Sequence, residues 1–207
     1  ADHVYESLRS AIVRGQLEPG SRLNQVDIAV ELDVSERTVR EALIRLISEG
    51  LLTREPFTEV RVVELSAEEI EEILRMRVLL EGWAIELAAS GISQEELDRM
   101  GELLPRIKAK SDLTSAPKLR AHYRDFHQIA ISACRKRYLS EMVMRLFDRM
   151  LPHVMSARSS EDLAKQIEAD QEYLRHLVGA LESGSGKKAR EIVFRRLNGM
   201  IEALKDA

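Results

Sequence analysis

Apolar residues recur at helical spacing near the start of the chain. Val4, Leu8 and Ile12 share one face of a first predicted helix. The spacing breaks at Pro19 and Gly20, which together favour a turn. The pattern therefore predicts one amphipathic helix followed by a tight connection.

A second and a third helix each follow a residue suited to capping. Asn24 precedes a short apolar face formed by Ile28, Ala29 and Leu32. Ser35 can accept a hydrogen bond from the amide of Thr38 and so begin the third helix. One apolar stripe then runs to Gly50 and comprises Val39, Ala42, Leu43, Leu46 and Ile47. At 100° per residue, the opposite side presents Arg37, Arg40, Glu41, Ile44 and Arg45.

Two alternating runs follow the third helix. "LLTRE" and "VRVVEL" flank "PFTE", a pattern typical of a β-hairpin. Three helices followed by a hairpin predict a winged helix-turn-helix domain over residues 1–65.

Long amphipathic segments replace this pattern from residue 66 onward. Helix starts divide these segments. Ser66 and Ser93 have capping-box spacing, and Pro117 and Ser160 mark two further starts. Six helices are predicted, near 67–90, 94–110, 116–133, 138–156, 160–183 and 187–205. We therefore expect a mainly α protein, with an all-α domain over residues 66–207 coupled to the first by a short connection.

Composition limits the function classes. The chain has 207 residues and a single cysteine, Cys134, which cannot form an internal disulfide. No run approaches the roughly 20 apolar residues of a membrane helix, and no signal peptide opens the chain, so the expected location is the cytoplasm. Since no Met precedes Ala1, a short preceding segment is also expected. The formal net charge of −4 does not indicate a nucleic-acid partner, so that inference depends on local geometry.

The outward arginines of the third helix offer that geometry. A helix fits the major groove of DNA, where Arg can donate two parallel hydrogen bonds to guanine. Amides at the helix N-terminus can bind phosphate. Arg37 and Arg40 suit these tasks, although exposed arginines on an isolated amphipathic helix are as often simply solvated. The helix-turn-helix and wing around them favour groove contact.

The motifs resemble those of the GntR family of bacterial transcription regulators. "GQLEPGSRL" matches a G-x-L-x-P-G-x-x-L pattern, and "VSERTVREALIRLISEGL" matches the family's helix-turn-helix. Downstream, "LRMRVLLEGWAIELAA", "YRDFHQIAISACRKRYL" and "LVGALESGSGKKAREIVFRRL" are similar to the FadR-like branch with an FCD effector domain. Six helices resemble its VanR-like subgroup.

The resemblance implies a set of DNA contacts. Arg37 and Thr38 are expected near bases, Arg40 at phosphate or base, and Arg45 at the backbone. The complete set of candidates is Arg9, Ser35, Glu36, Arg37, Thr38, Arg40, Arg45 and Thr58.

Two departures from the family pattern weaken this expectation. Glu36 stands where the family commonly has Arg, and it either accepts from cytosine or complements the helix dipole. Thr58 and Glu59 occupy the wing tip in place of a basic turn. Residues 1–65 hold eight Arg and no Lys against twelve Asp or Glu, so non-specific affinity should be modest. A homodimer that reads a palindrome would compensate by doubling the contacts.

The resemblance also implies a divalent metal site in the helical domain, formed by an Asp and three His. Here only His127 is retained, because Tyr123, Leu174 and Arg196 occupy the other three positions. His122, Asp125 and His176 are displaced from the required faces. We therefore expect no cofactor and no metal of the family type, with His153 kept as a possible unexpected ligand.

The same positions predict a small-molecule site. Arg77, Tyr123, His127 and Arg196 could converge on a cavity, with His153 as a further candidate. Arg can pair with a carboxylate without a metal. In the alternative interpretation Arg77 pairs with Glu81, Arg196 lies at the surface and His127 is a satisfied core residue.

The remaining features favour packing or rival functions. Met76, Leu80, Trp83 and Leu87 form a stripe suited to core or dimer contacts. The polar groups of "HYRDFH" do not assemble an enzyme centre, and no P-loop or nucleophile elbow occurs. The sequence therefore predicts a ligand-responsive, homodimeric transcription repressor with a small organic acid as effector. The alternatives are a degenerate regulator acting through protein contacts and a metal-dependent sensor of the same family.

Overall fold

The computed structural model describes residues 1–54, 59–107, 116–154 and 160–205, without the side chains of 116, 154 and 160–167. The N-terminal part contains α1 (Asp2–Val13), β1 (Arg22–Leu23), α2 (Gln25–Glu31), α3 (Glu36–Ser48), β2 (Leu52–Arg54) and β3 (Val60–Val62). The helical part contains α4 (Ala67–Gly91), α5 (Gln94–Leu103), α6 (Ala116–Ser132), α7 (Arg137–Val154), α8 (Ser160–Glu182) and α9 (Gly186–Lys205). The predicted fold class, a winged helix-turn-helix followed by a six-helix bundle, is confirmed.

Side-chain caps set the helix starts that the sequence predicted. The Asn24 side chain accepts from the amide of Val26 at 2.9 Å, and Ser35 Oγ accepts from the amide of Thr38 at 3.2 Å. Ser66 and Ser93 both form complete capping boxes, with Glu69 and Glu96 respectively. Each box satisfies two amides that the first helical turn leaves without a partner.

The small sheet has one more strand than the sequence predicted. Its order is β1-β3-β2, with both pairings antiparallel. The added strand has only two residues, too few to show an alternating pattern. It forms because Val62 donates its amide to the carbonyl of Ser21 and accepts from the amide of Gly20. The wing is therefore paired on both sides of β3.

The second bundle helix is shorter than the predicted 94–110. α5 ends at Leu103, and a 3₁₀ turn over Leu104–Arg106 follows. Pro105 explains the change, because proline has no amide to donate and its ring clashes with the preceding turn of an α-helix. Residues 108–110 of that prediction lie outside the described residues.

Two hydrophobic cores underlie the two parts of the chain. The stripe of α3 is buried in the first, with Val39 and Leu46 fully inaccessible. The second is centred on α4, which packs along α9 and also contacts α6, α7 and α8. No helix in the described ranges is both long and apolar enough to cross a membrane.

Two glycines allow the winged domain to approach the bundle closely. Gly15 follows α1 at φ 66°, and a Cβ there would collide with the guanidinium of Arg120. Gly50 follows α3 at φ 72°, and a Cβ there would lie 3.1 Å from Cζ of Arg149. Any L side chain at either position would be strained by its backbone and crowded by an arginine of the bundle.

Candidate functional site

The outward face of α3 is open to solvent at the predicted arginines. The Arg37 side chain is 89% exposed and forms a surface ion pair with Glu41, at 3.2 Å. Arg40 is also exposed, and with Ile44 it borders a groove of ≈ 940 Å³ that reaches Arg54 of β2. The groove places α3 beside the wing, as insertion of α3 into DNA would require.

The other predicted DNA contacts at α3 differ from Arg37 and Arg40 in their surroundings. Ser35 and Thr38 are occupied by the cap at the N-terminus of the helix, beside its first free amides. Glu36 is exposed in the first turn, where its charge complements the helix dipole. Arg45 turns towards α1, because it pairs with Asp2 at 2.8 Å and its guanidinium lies 3.8 Å from the ring centroid of Tyr5.

Arg9 lies away from the α3 face, and its predicted DNA contact needs correction. It lies between α1 and α7, where it pairs with Asp148 and approaches Glu49 at 3.7 Å. Its spacing on α1 could not reveal a partner on α7. Thr58 lies outside the described residues. Glu59 pairs with Arg22 at 3.1 Å, which reduces the repulsion expected between the wing and phosphates.

The bundle encloses a small cavity that brings four of the five predicted ligand residues together. Its walls include Arg77, Tyr123, His127 and Arg196, with apolar neighbours from α7, α8 and α9. Its volume is ≈ 20 Å³, enough for about one water molecule. The fifth candidate, His153, lies elsewhere, since its Nε2 accepts from the amide of Leu65 at 3.0 Å. His153 is therefore removed from the predicted set of ligand-binding residues.

Arg77 and Glu81 form a buried ion pair at one side of the cavity. The Arg77 Nη2 lies 2.7 Å from the Glu81 Oε2, and the two side chains are 3% and 1% exposed. The guanidinium also lies 4.7 Å from the ring centroid of Phe147. This pairing is the alternative that the sequence left open, yet Arg77 still lines the cavity.

Arg196 forms a second ion pair, with Asp170 of α8. Burial raises the pKa of the Asp170 carboxyl, and the Arg196 charge opposes that shift. Within the described part of the chain, no acceptor reaches the buried Nε–H of Arg196. Asp170 was missed from the sequence, although it shares a face of α8 with buried Leu174 and Leu177. An acidic residue on an apolar stripe is a signal for a buried basic partner.

His127 and Tyr123 supply neutral polar groups to the same cavity. Desolvation, reinforced by the charges of Arg77 and Arg196, lowers the pKa of His127 to about 3. Its Nδ1 lies 2.9 Å from the carbonyl of Tyr123, so in the neutral ring Nδ1 donates and Nε2 can accept. Burial raises the pKa of the Tyr123 hydroxyl. Both side chains are therefore uncharged near neutral pH.

The cavity does not fit a divalent cation. Of the four positions implied by the family resemblance, Leu174 offers no ligand atom and Arg196 adds positive charge. The charges that do surround the cavity cancel, because two arginines face two carboxylates. A ligand therefore meets paired groups rather than a free positive centre.

The fold and its two sites define a class of protein. A winged helix-turn-helix with exposed arginines on its third helix, joined to a bundle with a polar cavity, is the architecture of a DNA-binding transcription regulator with an effector domain. The chain matches the gntR family of bacterial regulatory proteins over residues 1–62 and the FCD domain over residues 72–199. It belongs to this family and is not an enzyme; the VanR-like subgroup stays a prediction.

Known relatives agree with this assignment. The HTH-type transcriptional regulator McbR of Escherichia coli is 29% identical over 168 residues, which cover 80% of this chain and 76% of McbR. The Bacillus subtilis regulator YdhC is 28% identical over 145 residues, which cover 70% of this chain and 65% of YdhC. The solved structure of E. coli McbR/YncC superposes with a TM-score of 0.83 at 26% identity, covering 99% of this chain and 96% of that one.

Proposed function

We propose that this chain is a ligand-responsive transcription repressor that binds a palindromic operator as a homodimer. Residues 1–65 would contact DNA, and residues 66–207 would bind the effector and the second subunit. The observation that carries the proposal is the outward face of α3, where Arg37 and Arg40 are exposed and Arg40 borders the groove that reaches the wing. Repression is inferred from similar regulators, among them the gluconate operon transcriptional repressor of Bacillus subtilis.

On this proposal Arg37 and Thr38 read bases and Arg40 contacts a phosphate or a base. Arg45 would contact the DNA backbone, and its contacts with Asp2 and Tyr5 hold its guanidinium beside α1. Many arginines of the winged domain are already neutralised by carboxylates, including Arg9, Arg22 and Arg37. A single domain therefore offers little non-specific attraction, and two copies are needed for tight binding.

An apolar strip on the bundle supports the homodimer. Met76, Leu79 and Trp83 of α4 are 38%, 68% and 51% exposed, and Phe194 of α9 is 51% exposed. Large exposed side chains grouped on packed helices are typical of protein interfaces. The predicted Leu80 and Leu87 are instead half-buried against the core. A second copy of the chain covering this strip would fix the separation of the two α3 helices.

Fluorescence anisotropy with the DNA upstream of the protein's own gene, against a scrambled duplex, tests the proposal. We expect selective binding with two chains per duplex, and an affinity that falls linearly in log salt. One chain per duplex would contradict the homodimer. Equal weak binding to both duplexes, with the same result for duplexes selected from a random library, would favour the alternative of a regulator that acts through protein contacts.

The effector is proposed to be a small carboxylate that enters the cavity. The Nε–H of Arg196, which meets no acceptor among the described residues, offers a donor, and Tyr123 and His127 add neutral groups beside it. Because the cavity holds only ≈ 20 Å³, a carboxylate would enter it only if the surrounding helices moved apart. Such a rearrangement is what an effector needs in order to change DNA binding.

Thermal unfolding in the presence of straight-chain mono- and dicarboxylic acids of two to six carbons tests this site. We expect at least one acid to raise the midpoint and Arg196→Ala to abolish the rise. Arg195→Ala is the matched control, because Arg195 is 76% exposed and pairs with Glu191 on the same helix. A rise that persists in Arg196→Ala would remove that residue from the site.

A further inference from the structure

A single buried carboxylate joins the winged domain to the bundle. Asp148 of α7 is 1% exposed. Its Oδ1 accepts from the Nε of Arg124 on α6 at 2.7 Å, and its Oδ2 accepts from Arg9 on α1. One partner belongs to the bundle and the other to the winged domain. Asp148 therefore ties α1 to the bundle helices α6 and α7.

The tie continues to the end of the recognition helix. The Nε of Arg9 lies 3.7 Å from the Glu49 Oε2. Glu49 is the C-cap residue directly after α3, and its carboxylate also accepts from the Tyr5 hydroxyl at 2.7 Å. Asp148, Arg9 and Glu49 thus form a continuous polar chain from α7 to the C-terminal end of α3. We refer to these three residues as the latch.

The helix that carries Asp148 also forms a wall of the cavity. Phe147, Met150 and Leu151 of α7 line it. Arg149, between them, packs against Gly50 immediately after α3. This short stretch of α7 therefore lines the cavity on one side. On the other side it carries Asp148, the first residue of the latch, and Arg149, which contacts the residue after Glu49. A shift of α7 cannot leave the latch unchanged.

We propose that Asp148 is a positioning residue for DNA binding, which fixes the orientation of α3 on the bundle through Arg9 and Glu49. Movement of α7 by a ligand in the cavity then changes that orientation. The inference rests on the proposed function, since it assigns the route by which the cavity and the DNA-binding surface are coupled. In a dimer the latch sets the distance between the two α3 helices, so it determines which half-site spacing is bound.

Arg9→Gln is the informative substitution. It removes the ion pair between Arg9 and Asp148, which joins the winged domain to the bundle, and leaves the Arg124–Asp148 pair in place. Replacing Asp148 would instead leave two arginines without their shared carboxylate, which threatens folding. Arg14→Gln is the control, because it removes one charge near the end of the same helix while the Arg14 carbonyl still accepts from Arg120.

The measurement compares duplexes whose half-sites are moved apart by one, two or three base pairs. Wild type and Arg14→Gln are expected to bind the duplex with the natural spacing about tenfold or more tightly than the altered duplexes. A roughly tenfold difference corresponds to the loss of roughly one base contact. Arg9→Gln is expected to lose most of that preference while binding a single half-site as wild type does. Loss of a purely structural contact would weaken all duplexes equally.

Hydrogen exchange supplies a readout that needs no DNA. Amides of α1 and of the turn after α3 are expected to exchange faster in Arg9→Gln than in wild type or Arg14→Gln. If Arg9→Gln keeps both the spacing preference and the exchange rates, the latch is overturned and the proposed function stands. If wild-type protein itself shows no selective DNA binding, both are overturned.

Discussion

Replacing Arg37 or Arg40 with alanine is expected to weaken operator binding by about 1–3 kcal/mol, or roughly fivefold to more than a hundredfold. Both side chains leave α3 on its solvent side, and Arg40 also borders the groove that reaches the wing. In the major groove a guanidinium donates to base edges or phosphates, and alanine leaves those acceptors desolvated without a donor. The loss of affinity should therefore be of similar size for the two substitutions.

The two arginines are separated by specificity and salt dependence. Arg37→Ala is expected to relax base preference at one position of each half-site. Arg40→Ala, if it loses a phosphate contact, should weaken all sequences alike and reduce the salt slope by about 1. Anisotropy over a salt series with single-base operator variants measures both effects.

Arg75→Ala provides the control for these two substitutions. Arg75 is a surface arginine of α4 that pairs with Glu71 one turn away, as Arg37 does with Glu41. Arg75→Ala should leave the affinity for the operator unchanged within about twofold. Wild-type affinity in both Arg37→Ala and Arg40→Ala would exclude the α3 face as the DNA-binding surface.

Local signals account for the part of the fold that the sequence predicted. Asn24, Ser35, Ser66 and Ser93 cap the helices they were expected to cap, because a cap depends only on residues two or three positions away. The stripe of α3 faces the core for the same reason. Strand β1 was missed because its two residues become a strand only when β3 lies beside them.

The candidate sites depend on partners that local patterns do not contain. Arg9 was among the predicted DNA contacts, but it pairs with Asp148 on α7, a partner that the spacing of residues on α1 cannot reveal. Asp170 was missed because its partner Arg196 lies on the next helix. The two interpretations of Arg77 proved compatible, since it lines the cavity and pairs with Glu81. Only the tertiary packing of α4, α8 and α9 shows both.

Glu81→Gln is expected to destabilise the protein by about 3–5 kcal/mol. The substitution keeps the shape of the side chain but leaves the Arg77 guanidinium, 3% exposed, without its counter-charge. A buried cation without a partner loses its hydration and regains little of it in the bundle. The loss should exceed any effect of the changed hydrogen bond.

Two further variants test whether the lost stability of Glu81→Gln arises from an unpaired charge. Arg77→Met combined with Glu81→Leu removes both charges at similar volume, so most of the lost stability should return. Glu71→Gln breaks the same kind of pair on the same helix, but Arg75 is 60% exposed, so a loss of about 0.5 kcal/mol or less is expected.

Urea unfolding at fixed protein concentration measures all three variants, since a dimer makes stability depend on concentration. The expected order of stability places Glu71→Gln near wild type, the double variant next and Glu81→Gln last. If Glu81→Gln lost no more than Glu71→Gln, Arg77 would have to reach water or another carboxylate after the change. The cavity wall would then be free to rearrange, and Arg77 would be available to a ligand at little cost.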